Sequence, residues 1–258
     1  MSYGKIFLTL LTAAVMVTFG IAGCGDDDTS TGTSQKTPTT PATPAEPEKT
    51  FTDDRDGKKY KMAKLPDGKT WMAQNLNYET LSGSWCYDDD TSKCGKYGRL
   101  YNWTTAMDID SSCIGNDIGC GVSGVNHQGI CPDGWHLPTR DEWDDLIKAV
   151  GTSSGTKLKA KKDWIAYAGT PTGTDKYGFS ALPGGFRVGK KSLIIYDGTY
   201  VEIGESGIWW TSIEFKNGNE YIVHVYDISN RSETLGRFAN YKDFGYSLRC
   251  VQNDATAN

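Results

Sequence analysis

"GICPDGWHLPTRDEW", residues 129–143, carries the strongest structural signal in the chain. Thr139 is followed three residues later by Glu142, the spacing of a capping box. In that motif the N-cap side chain and the acid at N3 each satisfy the other's backbone N–H. Pro138 stands just outside, and Trp143, Leu146, Ile147 and Val150 then form one apolar stripe at helical spacing. Gly151 supplies the stop. The stretch reads as the locked start of a core helix over about 139–150. His136, inside it, reads as a hydrogen-bonded structural histidine.

On either side of this helix the chain is rich in turns and β-forming runs. "YKMAKLPDGKTWMAQNL", "SLIIYDGTYVEI" and "IWWTSIEFKNGNEYIVHVYDI" each set Asp-Gly or Asn-Gly between such runs, the strongest short-range hairpin signal. "RDGKKY" at 55–60 is a further turn; an EF-hand loop does not fit there, because its first and last ligands would be Thr52 and Ala63. "YGRLYNWTTAM" places Leu100, Trp103 and Met107 at helical spacing and predicts a second helix over about 98–107.

The start of the chain is of another kind. Lys5 precedes an apolar run from Ile6 to Ile21, too short for a membrane span and suited to a signal peptide. "Ile21-Ala22-Gly23-Cys24" resembles the bacterial lipobox. That resemblance implies a signal peptide over 1–23 and acyl chains on Cys24, two or more of which anchor stably. Residues 24–50, rich in Thr, Pro and Asp, lack the apolar surface to offset ordering entropy and read as a disordered tether. The acidic run Asp26–Asp28 suits either a surface-export signal or a solvated linker. A single domain over 51–252 and a short flexible tail over 253–258 complete the expected organisation. Net charge is −5, which gives no electrostatic footprint for nucleic acid.

Seven cysteines are present, and six remain once Cys24 is assigned to lipid. An exported chain with an even number of cysteines suggests disulfides. The two short loops favour Cys86–Cys94 and Cys113–Cys120, which leaves Cys131–Cys250. That last bridge closes a long loop, worth roughly 4–5 kcal/mol in the chain-entropy model. A zinc site is disfavoured because the spacings are not of the C-x₂-C kind.

"FTDDRDGKKYKMAKLPDGKTWMAQNLNY", "KYGRLYNWTTAMD", "GICPDGWHLPTRDEWDDLI", "GTDKYGFSALPGGFR", "WWTS" and "GYSLRCV" occur in that order and together resemble the Fibrobacter succinogenes major paralogous domain. "LPTRDEW" and "YSLRC" are more distantly similar to the formylglycine-generating enzyme superfamily. That likeness implies an α+β, C-type-lectin-like fold: two helices around a small, mostly antiparallel sheet with several hairpins, stapled by disulfides. Cys131–Cys250 would parallel the long disulfide of that fold. The oxidase's copper-binding cysteine pair has no evident counterpart, and the calcium motifs of sugar-binding lectins do not occur.

Other catalytic patterns fail on context. "GTSSG" at 151–155 follows a helix end rather than a strand, so it is no nucleophile elbow. Asp88–Asp90 reads as a solvated loop, with a weak calcium site as its alternative. Trp71, Trp103, Trp135, Trp143, Trp209 and Trp210 belong to the core, whereas Tyr167, Tyr196, Tyr200 and Tyr241 are candidate ligand contacts on loops. The expectation is a non-enzymatic, lipid-anchored outer-membrane protein at the cell surface, with no metal or cofactor. It would bind or adhere to polysaccharide or another envelope protein. A formylglycine-generating-type or other enzyme with a C-type-lectin-like fold, and a purely structural envelope protein, are the alternatives.

Overall fold

The computed structural model describes residues 49–115, 119–122, 124–192 and 195–254. Cys24 and the expected signal peptide lie outside them, as does nearly all of the tether. From the N-terminal side, β1 (Thr50–Thr52), β2 (Lys59–Lys64) and β3 (Thr70–Met72) lead to β4 (Ser84–Trp85), α1 (Thr91–Tyr97), β5 (Leu100–Tyr101) and α2 (Trp103–Ala106). Then come β6 (Trp135–His136), α3 (Arg140–Val150) and α4 (Ser154–Leu158). The C-terminal half holds β7 (Gly184–Arg187), β8 (Tyr200–Ile203), β9 (Ser206–Asn217), β10 (Glu220–Ser229), β11 (Gly236–Asn240) and β12 (Val251–Gln252).

The strands form two five-stranded sheets, ordered β1-β2-β3-β12-β6 and β11-β10-β9-β7-β8, with β4 and β5 as a separate pair. Pairing is antiparallel except between β7 and β9. The expected single small sheet is therefore replaced by two, and the described residues are mostly β. Three hairpins lie where their turn sequences place them: β1–β2 around Gly57, β2–β3 around Gly68 and β9–β10 around Gly218. Each of these glycines has positive φ, the conformation that a residue without Cβ adopts at least cost. The Asp197-Gly198 turn differs: β8 after it pairs with β7 at 184–187.

The α3 capping box is complete. Thr139 Oγ1 accepts from Glu142 N at 3.2 Å, and Glu142 Oε2 accepts from Thr139 N at 2.9 Å. The other expected helix is shortened. Only Trp103–Ala106 is helical, while Leu100–Tyr101 is a strand. Gly98, at φ 77°, packs against the Asn75 and Leu76 backbone where a Cβ would clash, and Asn102 caps α2 by accepting from Thr105 N. These two residues break the helical run that the apolar spacing suggested.

All six tryptophans assigned to the core are buried. Trp143 sits among Trp71 at 4.7 Å, Tyr226 at 5.2 Å and Trp209 at 5.9 Å. The segment before β12 joins the sheets: Tyr246 bridges to Tyr101 and Ser247 to Trp209. Asn75 is a buried hub there. Its Oδ1 accepts from Trp209 Nε1 and Arg249 Nε, each at 2.9 Å, and its Nδ2 donates to Tyr97 O and Ser247 Oγ. Arg249, fully buried, donates besides to the Phe179 and Ser180 carbonyls and lies 4.2 Å from the Phe179 ring. Burial pulls its guanidinium down to about 9.

Two of the three expected disulfides are present, Cys86–Cys94 and Cys131–Cys250. The third is corrected: Cys113 and Cys120 are free thiols. The Cys120 thiol donates to the Cys113 carbonyl at 3.5 Å, and Lys242 Nζ lies 3.4 Å from the same sulfur. Asn253, expected in the flexible tail, is held instead: its N–H donates to Gly134 O and its side chain meets His136.

Candidate functional site

A cleft of about 700 Å³ opens where the β1–β2 turn, the 78–82 loop, α2 and the 108–111 segment meet. The turn brings Arg55 to its rim. Arg55 is fixed by a two-pronged pair with Asp53, Nε to Oδ1 at 2.9 Å and Nη2 to Oδ2 at 2.7 Å. Asp53 is buried; burial by itself raises its carboxyl, but the Arg55 hydrogen bonds outweigh this and hold it below the ordinary range. With its charge met, the guanidinium lies 4.0 Å from the centre of the Tyr78 ring. The stacked pair forms a flat, rigid surface at the cleft.

The remaining walls are rich in hydroxyls, with Thr80, Ser82, Thr105 and Ser111 among the lining residues. Glu79 is tied to Arg99 at 2.6 Å. Asp108 is exposed and has no ion pair among the described residues. Leu81 projects fully into solvent at the mouth. A second cavity of about 480 Å³, lined by His127, Val125 and Asn126, adjoins the first at Asp108 and Gly129. The cleft thus offers a planar cation with its charge met, several hydroxyl side chains, and one carboxylate without an ion pair among the described residues. That set suits a neutral, hydroxyl-bearing ligand better than an anion, since a second negative charge would face Asp108 without an unmatched cation.

The residues match a known family over most of this architecture: residues 67–252 align with the Fibrobacter succinogenes major domain. The chain belongs to that family. No curated protein and no solved structure matches it. The likeness to formylglycine-generating enzymes therefore rests on the sequence motifs alone. The family's "LPTRDEW" block is structural here. His136 is buried, its Nδ1 2.6 Å from Asn253 Oδ1 and its Nε2 2.9 Å from Glu142 Oε1.

Among the described residues, no contact gathers the four candidate tyrosines into one surface. Tyr196 is 91% exposed and Tyr167 48%, the latter beneath Arg231 at 5.3 Å. Tyr200 begins β8 rather than lying in a loop, and its hydroxyl donates to Asp89 at 2.6 Å. Tyr241 follows β11, with its hydroxyl on Glu220 and Lys191 over its ring. The Asp88–Asp90 carboxylates face different neighbours. Asp88 pairs with Lys93, Asp89 accepts from Tyr200, and Asp90 caps α1 by accepting from Ser92. Among the described residues no group of three or more His, Cys, Asp or Glu is placed to hold a metal ion.

Sequence reasoning missed Arg55 and Tyr78. The 55–60 turn was legible, but an Arg two residues after an Asp looks like any solvated turn. Only the fold brings Tyr78, 23 positions on, beneath it.

Proposed function

We propose that the chain is a non-enzymatic binding module, anchored by lipid at Cys24 and held at the cell surface on the 24–50 tether. The module takes a polysaccharide segment in the Arg55–Tyr78 cleft. The observation that carries this reading is the rigid guanidinium–ring surface facing hydroxyl-lined walls. Sugars present apolar ring faces for stacking and hydroxyls for bidentate hydrogen bonds, and the cleft supplies both partners. An envelope protein is the alternative ligand, with exposed Tyr196 and Tyr167 as its contacts.

The proposal extends to fold: a C-type-lectin-like arrangement. It is supported by a capped helix leading into the core, a terminal strand between two others, and the long Cys131–Cys250 bridge. A second reading, the enzyme, is favoured by one finding, the free thiols Cys113 and Cys120. Burial, together with a side-chain hydrogen bond with Cys113, pushes the Cys120 thiol up to about 12. Nucleophilic catalysis needs the thiolate, so this environment works against it. The purely structural reading expects loops without a cleft.

The experiment is retention of the Cys24→Ser chain on a panel of insoluble and soluble polysaccharides, with Arg55→Lys and Asp108→Ala beside it. Retention that both substitutions weaken supports the reading. Retention unaffected by either places the ligand elsewhere.

A further inference from the structure

Cys113 and Cys120 differ from the other four cysteines of the domain in surroundings as well as bonding. Cys86, Cys94, Cys131 and Cys250 are buried and bridged. Cys113 and Cys120 are half-exposed and open. The Cys120 sulfur is 3.5 Å from the Cys113 carbonyl oxygen, so the two residues are already folded against each other. The site around them is built. Lys242 is fully buried, with Nζ 3.4 Å from the Cys120 sulfur, 3.2 Å from the Cys113 carbonyl and 2.6 Å from Glu214 Oε2. The other oxygen of Glu214 accepts from the Cys120 and Gly121 backbone N–H groups, at 2.5 and 3.2 Å. One ion pair therefore pins Cys120, with Lys242 favouring and Glu214 opposing negative charge on its sulfur.

We propose that Cys113 and Cys120 are a redox-active dithiol, present here in the reduced form, which a disulfide-bearing oxidant closes reversibly. The warrant is accessibility combined with preorganisation. Exposed bridges exchange with external thiols, whereas sealed ones persist. In the reaction, the Cys113 thiolate attacks one sulfur of the oxidant's disulfide, breaking that bond and releasing the first thiol. The Cys120 sulfur then attacks the Cys113 sulfur of the mixed disulfide, and the second oxidant thiol leaves. Two protein thiols lose two electrons and two protons, and the oxidant's disulfide gains both. Burial keeps Cys120 a thiol until the mixed disulfide forms, which leaves the first attack to Cys113. Lys242 then offsets part of the cost of the charge that develops on Cys120 as its proton departs. The Cys113 turn follows directly on Asp108, Ile109 and Ser111 of the cleft wall, so closure also stiffens that wall. The inference does not depend on what the cleft binds.

The test uses the full chain carrying Cys24→Ser, equilibrated in glutathione buffers of increasing oxidised fraction and alkylated under native conditions. Peptide mass spectrometry then reads each cysteine. Cys113 and Cys120 should pass together from alkylated to mutually bridged and return when reduced glutathione is restored, while the other four stay protected throughout. Amide hydrogen exchange over residues 108–115 should slow on closure. In Cys113→Ser, Cys120 should never acquire an intramolecular bridge. The proposal is overturned if the pair stays alkylated in the most oxidising buffer, or if it carries only glutathione adducts. It is equally overturned if the closed bridge resists reduced glutathione as the buried ones do, since it would then be a structural staple.

Discussion

At His136, burial and charge pull in opposite directions. Burial by itself lowers the imidazole's affinity for a proton, but the hydrogen bond and charge of Glu142, with Asn253 on the other nitrogen, raise it above 6.5. Burial likewise raises Glu142, and the bonds from His136 and the Thr139 backbone more than reverse this, bringing it to about 2. The signs fix a window. A raised His contributes stability that is complete below its unfolded value and fades as pH climbs through the folded value. A depressed Glu contributes stability that is complete above its unfolded value of 4.5 and fades as pH falls toward about 2. The pair therefore contributes most between pH 4.5 and 6.5. The difference in melting temperature between the native sequence and Glu142→Gln should peak in that window and shrink on both sides. A difference that is flat with pH would contradict this account.

Trp143 allows a finer statement of the same kind. Its ring is fully buried in an aromatic cluster, yet its indole Nε1 has no hydrogen-bond partner among the described residues. Trp143→Ala should cost roughly 3–5 kcal/mol by chemical denaturation. Trp143→Phe should cost clearly less, because it removes an unsatisfied buried donor along with the lost area. Thr139→Ala should cost about 0.5–2 kcal/mol through the lost cap.

Elements differ in how far local sequence determined them. α3 was legible end to end, because its cap, stripe and stop are all local and agree. The β2–β3 and β9–β10 hairpins were legible because Asp-Gly and Asn-Gly turns set their own geometry. The 98–107 segment was not. Leu100, Trp103 and Met107 are buried as their spacing required, but Tyr101 pairs with Tyr246, 145 positions later, and that partner is invisible locally. The cleft was illegible for the same reason, as Arg55 and Tyr78 are ordinary residues until the fold stacks them. Arg249 reads from sequence as a charge in the last block, yet it is pinned in the core by Asn75 and two carbonyls. At this scale the bridges also separate. Cys131–Cys250 spans 119 residues and Cys86–Cys94 only 8. The chain-entropy model gives about 5 kcal/mol for the first and about 2.5 for the second. Replacing the Cys131–Cys250 pair by alanines should accordingly lower the denaturation midpoint more than replacing the Cys86–Cys94 pair. The reverse order would mean that native packing, not loop closure, sets their worth.

For the whole molecule, the proposal joins an anchor, a tether and a folded head. The anchor has its own prediction: Cys24→Ser should move the protein from the membrane fraction to the soluble one or stall its processing. An unmodified mature N-terminus at another residue, found by mass spectrometry, would remove the anchor from the account. The head carries the central claim, that the Arg55–Tyr78 cleft holds a neutral polysaccharide. Calorimetric titration of the Cys24→Ser chain against soluble neutral polysaccharides tests it most directly, run in parallel on Arg55→Lys, Asp108→Ala and Tyr196→Ala with melting temperatures recorded for each. The account predicts saturable binding by the parent chain. Affinity should fall at least tenfold, about 1.4 kcal/mol, in Arg55→Lys and Asp108→Ala, the latter at unchanged melting temperature, and Tyr196→Ala should bind like the parent. Binding lost in Tyr196→Ala but kept in the cleft variants, or no binding by any folded form, would contradict it.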